Sequence, residues 1–212
     1  MFPVWITIAL PLTAVYMAFL VWYGGNGTPM SQDEIDEGLR ELQTTDTTDH
    51  GKAAVDDVRQ LLASDDGKEF IMQNLVRYRP KALYPPGHHY SDDPREADQR
   101  YGKSIMWPLL RNGNLLLFVA RRSGNFFVPE GVDDWHYVAM VRYRSRRDFL
   151  RFALEANRAD TFVHKWAAIE KTHVFPVKPV ISLIGIRLTV GLVLLSLGLL
   201  LYNTLTWLRY TP

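Results

Sequence analysis

The chain has 212 residues, with 24 Lys and Arg, 23 Asp and Glu, and a formal net charge of +1. This length allows one ordinary domain with additional helices, but not two domains. The balanced charge does not suggest nucleic acid as a partner. The absence of cysteine excludes disulfides, thiolate catalysis and cysteine-based metal sites.

The first segment is a long apolar run over residues 2–23, without a charged side chain. About 20 such residues cross the hydrocarbon core of a bilayer. Trp22 and Tyr23 end the run, as aromatic residues do at a membrane interface. A cleaved signal peptide is the alternative, but no basic residue precedes the run and no small-x-small cleavage site is evident. We therefore predict a retained transmembrane helix over 2–23.

Residues 24–67 predict an acidic helical connector. Ser31 and Glu34 have the spacing of a capping box, and apolar residues follow at helical intervals. A second short helix is predicted over 52–64. Both helices have acidic outer faces, which is typical of a solvated connector packed on a domain.

Residues 68–178 predict one α+β domain. Alternation of apolar residues over 70–78 predicts a first strand, buried on both faces. Asn112 and Gly113 end the following helix. The complete order is strand, helix, strand, strand, helix, strand, which is the ferredoxin-like βαββαβ arrangement with two helices on one face of an antiparallel sheet. The later elements are strands over 114–121, 135–144 and 172–177, and helices over 95–111, from 145 onward and over 161–169.

The last segment, residues 187–208, predicts a second transmembrane helix. Gly191 and Gly198 are seven residues apart and share a helical face, which suits close packing on another helix. Glycine is also common in membrane helices without such a role. Lys and Arg near the two segments favour a two-pass inner-membrane protein with its domain in the cytoplasm rather than the periplasm.

Several motifs of the domain occur in the order found in one known family. The segments FIMQNLVRYR, ADQRYG, WHYVAMVRYRSRRDFL and HKWAAIEKTHVFPV resemble an uncharacterised bacterial family of dimeric α+β-barrel proteins. That family is related to EthD-like and antibiotic-biosynthesis-monooxygenase-like domains. The resemblance implies a homodimer formed through the sheet face. The matching positions are Met72, Asn74, Leu75, Tyr101, Trp135, Ser145, Arg146, Phe149, His164 and Lys165.

An enzymatic interpretation follows from the same resemblance. Haem-degrading members of the wider superfamily use an Asn, a Trp and a His, which would be Asn74, Trp135 and His164 here. His164 would then ligate haem iron, and Asn74 would hydrogen-bond the bound oxygen. The alternative is structural: Asn74 bonds the backbone, Trp135 is a core residue and His164 ends a helix.

Six arginines form the other candidate site. We expect the first and third strands to be parallel neighbours, so that the arginines gather at one end of the sheet, which would face away from the membrane and bind an acidic partner or an anionic ligand. Local pairing with nearby acids is the alternative. The six are Arg77, Arg79, Arg142, Arg144, Arg146 and Arg147.

No metal site is expected. His88 and His89 are adjacent and point in different directions, and no structured third ligand accompanies them. The favoured hypothesis is a non-catalytic accessory or scaffold subunit, with the lipid bilayer and other integral membrane subunits as partners. The alternative is a membrane-tethered enzyme or binding protein for a small hydrophobic or haem-like ligand.

Overall fold

The computed structural model describes residues 3–25, 27–45, 49–127, 129–131, 134–158, 161–181 and 185–210, without the side chains of 49–54, 209 and 210. The chain forms two compact units, one from Met1–Gly25 with Val180–Pro212 and one from Asn26–Pro179. In chain order the elements are α1 (Val4–Gly24), α2 (Gln32–Thr45), α3 (Asp49–Ala63), β1 (Phe70–Tyr78), α4 (Pro94–Arg111), β2 (Leu115–Arg121), β3 (Tyr137–Tyr143), α5 (Arg146–Arg158), α6 (Phe162–Ala168), β4 (Ile169–Val177) and α7 (Ile186–Tyr210).

The first unit consists of two apolar helices, α1 and α7. Both are long and apolar enough to cross a membrane, with mean hydropathy of 2.1 for α1 and 1.9 for residues 186–208 of α7. Phe2, the predicted start of the first segment, lies outside the described residues. The Tyr16 hydroxyl of α1 donates to the carbonyl of Arg187 at 3.1 Å. The two helices therefore pack on each other within this unit.

The second unit is an α+β domain with a four-stranded antiparallel sheet. The strand order is β2-β3-β1-β4, and β1 is antiparallel to both of its neighbours. Phe70 pairs with Tyr143, and Ile71 pairs with Val177. The expectation that β1 and β3 run parallel was wrong. The start of β1 lies beside the ends of β3 and β4, and we call this end of the sheet the tether end; we call the opposite end the far end.

The helices cover one face of the sheet. Phe70, Met72 and Val76 of β1 are buried among residues of α4, α5 and α6. Because side chains alternate along a strand, Ile71 and Leu75 point to the other face. Both are half-buried, and neither belongs to a core cluster of the described residues. The prediction that β1 is buried on both faces was therefore correct for one face only.

The helices α2 and α3 belong to the same compact unit as the sheet. Leu39 and Leu62 form a buried cluster with Leu150 of α5. Gly38 permits the close approach of α2, because a Cβ at this position would lie 2.3 Å from Leu150 Cδ2. The predicted capping box is present: the Ser31 backbone N–H donates to the Glu34 carboxylate at 2.9 Å, and the Glu34 N–H donates to Ser31 Oγ at 3.2 Å.

The turn 65–67, between α3 and β1, lies at the tether end of the sheet. It is bonded to the segment that follows α1 and to the segment that precedes α7, and we call these segments the incoming and outgoing connections. On the incoming side, the Met30 backbone N–H donates to the Asp65 carboxylate at 2.8 Å. On the outgoing side, Lys178 Nζ donates to the Asp66 carboxylate at 2.9 Å and keeps the pKa of Asp66 at about 2. Gly67 completes the turn with φ +70°, and a Cβ there would meet the Gly27 carbonyl oxygen at 2.3 Å.

We expect Gly67→Ala to lower the free energy of unfolding by about 2–4 kcal/mol, through left-handed strain and a backbone clash together. The matched control is Gly87→Ala, where φ is +93° and no atom lies within 4 Å of the added Cβ. That variant should lose only the strain energy, about 1–2 kcal/mol. Urea unfolding of the full chain in mild detergent measures both. Equal losses would show that the contact with Gly27 contributes nothing.

Candidate functional site

Buried polar groups meet at the far end of the sheet, under α4. Tyr78 ends β1 and Tyr137 begins β3, so the pairing of the two strands brings their side chains together on the helix-covered face. The carboxylate of Asp98, on α4, accepts hydrogen bonds from the Tyr78 hydroxyl at 2.8 Å and from the Tyr137 hydroxyl at 3.1 Å. Burial raises the pKa of Asp98, and these hydrogen bonds offset part of that effect.

Lys165 of α6 lies beside this carboxylate. Its Nζ is 4.8 Å from the ring centroid of Trp166, 5.6 Å from that of Phe162 and 5.9 Å from that of Tyr101. Among the described residues, Nζ has no hydrogen-bond or ion-pair partner within the distance of a direct bond. Burial lowers the pKa of Lys165 to about 8, and the charge of Asp98 opposes this shift. We call Lys165, Asp98 and the two tyrosines of the sheet the lysine cluster.

The charged form of Lys165 has a net energetic cost in this position. Removing an ammonium ion from water costs several kcal/mol, whereas a cation over an aromatic ring gains about 0.5–2 kcal/mol. An ammonium group has three donors, and the oxygens of Asp98 are already bonded to two tyrosine hydroxyls. Lysines with a depressed pKa and a specific carboxylate nearby are characteristic of functional sites.

A second aromatic group lies next to α6. The Tyr84 hydroxyl is 2.9 Å from His164 Nδ1, and the ring of Tyr90 is 5.1 Å from the ring of His164. The guanidinium of Arg100 lies 5.0 Å from the centroid of Tyr90. His88 stacks on Tyr90 at 5.9 Å. In the part of the chain that the structure describes, no three His, Asp or Glu residues form a group suited to a metal ion.

The residues of the haem hypothesis have separate bonding partners. Asn74 lies in the middle of β1, where its amide donates to the carbonyls of Met72 at 3.1 Å and Ala139 at 3.4 Å. Trp135 precedes β3, and its carbonyl accepts from Arg122. His164 contacts Tyr84 on the loop before α4. These bonds do not join the three residues into one haem site, and haem binding stays a prediction.

The six arginines do not gather at one end of the sheet. Because β1 and β3 are antiparallel, Arg77 and Arg79 are at the far end, and the other four are at the tether end. Arg77 pairs with Glu170 at 2.9 Å, and Arg79 donates to the carbonyl of Trp166 at 3.2 Å. The expectation of a single arginine-rich end was wrong, for the same reason that the expected strand direction was wrong.

The four arginines of the tether end bond within the domain. Arg142 is only 2% exposed and binds Glu69, and Arg144 forms two bonds of 2.7 Å with Asp148. Arg146 is 5% exposed, lies over the ring of Phe70 and pairs with Asp66 at 3.1 Å. Arg147 binds the Glu34 carboxylate and the carbonyls of Thr28 and Pro29. These contacts favour the alternative of local pairing, and binding of an external partner stays a prediction.

Sequence reasoning did not identify the lysine cluster. Tyr101 and Lys165 are positions of the family resemblance, but Asp98 stands where a tyrosine is usual in that family. His136 stands where an acid is usual, and its Nδ1 accepts from the Tyr78 backbone N–H at 3.1 Å. Both departures bond Tyr78, Asp98 through the hydroxyl of that tyrosine and His136 through its backbone N–H. Two departures from the family pattern, at residues that are far apart in sequence, were the signal that could have indicated the lysine cluster.

The chain is similar to a solved structure of unknown function. The crystal structure of RPA0582, a protein of unknown function from Rhodopseudomonas palustris, is 25% identical with a TM-score of 0.52. The match covers 65% of this chain and 98% of that protein. The methylated RPA0582 protein matches at 26% identity and the same TM-score, over 65% of this chain and 95% of that one. No family model and no curated protein matches the chain.

We expect Lys165→Met to stabilise the domain by about 1 kcal/mol at pH 7, because it removes a buried charge without a bonding partner. From pH 8 to pH 10 the unfolded chain binds a proton at this lysine that the folded chain has lost, so the stability of the parent chain should rise with pH. The variant should lack this rise. Urea unfolding in mild detergent from pH 7 to pH 10 measures it.

Lys103→Met is the matched control, because Lys103 is exposed on α4. Its stability should follow that of the parent chain at every pH. The series stops at pH 10 because burial raises the pKa of Tyr78 and Tyr137, so that folding opposes their ionisation at higher pH. Identical pH slopes for the parent chain and Lys165→Met would contradict the prediction.

Proposed function

We propose that the chain is a non-catalytic accessory or scaffold subunit of a bacterial membrane complex, which forms a homodimer through the uncovered face of its sheet. The observation that carries this proposal is that apolar face. Ile71 and Leu75 of β1 share it with residues of the three other strands, as the strand pairing specifies. Phe118 is 45% exposed there. The further apolar members are Val138, Met140, Phe175 and Val177.

Burial of this face against a second copy of the chain is more favourable than its exposure to water. Contiguous apolar surface of this kind is rare on monomeric soluble domains and marks an interaction site. Arg77 and Lys171 are cross-strand neighbours at one end of this face and Arg142 lies at the other, with Gln73 and His173 as the polar residues between them. The strand order and the one-sided helices support the ferredoxin-like class. The family resemblance given above implies dimers in which two such sheets pack face to face.

Two anchors and their attachment support the membrane part of the proposal. The helices α1 and α7 are long and apolar enough to cross a bilayer. Both connections are bonded to the turn 65–67 at the tether end of the domain. A chain that arrives and leaves at one end of the domain suits attachment to two membrane helices.

The glycines of α7 support a packing role for that helix. A Cβ at Gly198 would lie 3.0 Å from Leu12 Cδ1, and a Cβ at Gly191 would lie 3.3 Å from the Tyr16 hydroxyl. Small residues that permit close approach are typical of contacts between membrane helices. The two glycines thus face α1 of the same chain, and the remaining surface of the pair is available for other membrane subunits.

We expect Leu75→Glu to raise the dissociation constant of the dimer by roughly tenfold or more, because it places a carboxylate at the centre of an apolar interface. Leu83→Glu is the control, since Leu83 is 62% exposed and lies in a loop outside the sheet. Light scattering of the full chain in mild detergent measures the mass, and circular dichroism confirms folding. A parent chain that is monomeric at tens of micromolar would refute the homodimer.

The scaffold role has a separate test. Gentle purification from a native membrane in mild detergent should recover stoichiometric integral membrane partners with the chain. Leu75→Glu separates the two parts of the proposal, because partners bound by the apolar helices should remain with the monomeric variant. Recovery of the chain without any stoichiometric partner would refute the scaffold role and leave the homodimer in place.

The side of the membrane can be tested with a single cysteine, because the natural chain has none. We expect Lys103→Cys, at an exposed position of α4, to react with a membrane-impermeant maleimide only after the cells are permeabilised. That result follows from a cytoplasmic domain. Labelling in intact cells would instead place the domain outside the inner membrane.

A further inference from the structure

The amine of Lys165 has an environment that a scaffold does not require. Three aromatic rings surround Nζ, and a carboxylate held by two tyrosine hydroxyls lies beyond direct bonding distance. We propose that Lys165 is the attacking amine of a reversible covalent binding site for a small aldehyde or ketone with an apolar or aromatic body.

The surroundings fit each part of such a ligand. The rings of Tyr101, Phe162 and Trp166 provide an apolar wall around the amine for the body of the ligand. Asp98 provides a negative charge near the nitrogen, which stabilises the protonated imine once it forms. Lys165 is half-buried, so the cluster is not sealed from solvent.

The reaction is a condensation and needs no oxidant or reductant. The lone pair of the neutral Nζ attacks the carbonyl carbon, a C–N bond forms, and the electron pair of the C=O bond moves to the oxygen. The oxygen takes up the two amine protons in succession and leaves as water while the C=N bond forms, and the imine nitrogen then takes a proton from solvent to give the protonated imine. Hydrolysis reverses every step, so the ligand is bound and released unchanged.

The acid–base properties of the site support this role. The attacking species is the neutral amine, and burial gives Lys165 a pKa of about 8. A lysine in water has a pKa near 10.4, so its neutral fraction near pH 8 is smaller by more than a hundredfold. The depressed pKa of Lys165 therefore suits this side chain to imine formation near neutral pH.

The test uses the full chain in mild detergent at pH 8, with benzaldehyde as the probe and borohydride to reduce the imine to a stable benzylamine. Peptide mass spectrometry then gives the rate of modification at each lysine. We expect Lys165 to react at least ten times faster than the exposed Lys103 of the same molecule. Equal or slower modification of Lys165 would overturn the proposal.

The pH profile provides a second readout that simple exposure would not reproduce. Modification of Lys165 should have a midpoint near pH 8, and Asp98→Asn should move that midpoint to lower pH, because the carboxylate stabilises the ammonium form. Thermal unfolding checks that the variant is folded. A midpoint that coincides with that of Lys103 would overturn the proposal. Neither result depends on dimerisation, so this inference and the scaffold proposal fail separately.

Discussion

The direction of β1 determines the organisation of the whole domain. As the strand between β3 and β4 it is antiparallel to both, so both of its neighbours end where it begins. The incoming connection is bonded beside that point through Asp65, and the outgoing connection follows directly from β4. Arg142, Arg144, Arg146 and Arg147 pair with acids of the domain at this end, whereas Tyr78, Tyr137 and Lys165 are at the opposite end.

The one-sided cover of the sheet explains two features that would otherwise be unrelated. The described helices of the domain that pack on the sheet use the face of Phe70, Met72 and Val76, and no core cluster of the described residues includes the opposite face. On the covered face, the far end of the sheet carries the lysine cluster, where α4 contributes Asp98 and α6 contributes Lys165. The same layer arrangement thus produces an apolar association surface outside and a small polar site inside.

The sequence was sufficient for features that depend on neighbouring residues. Alternation located β1 at its observed bounds, the Ser31 and Glu34 spacing identified the cap of α2, and two long apolar runs identified α1 and α7. It was insufficient where partners are distant in sequence. The prediction that the six arginines gather at one end was wrong because their placement depends on the relative direction of β1 and β3, which no local sequence pattern encodes. The lysine cluster was missed because Asp98 and Lys165 are brought together only by the packing of α4 and α6 over β1.

The turn 65–67 has a mechanical consequence. Its backbone and carboxylates hold residues 27–30 on one side and Lys178 on the other, and Arg146 braces it against Phe70. Because one short turn is bonded to both segments, the points where the chain enters and leaves the domain are held close together.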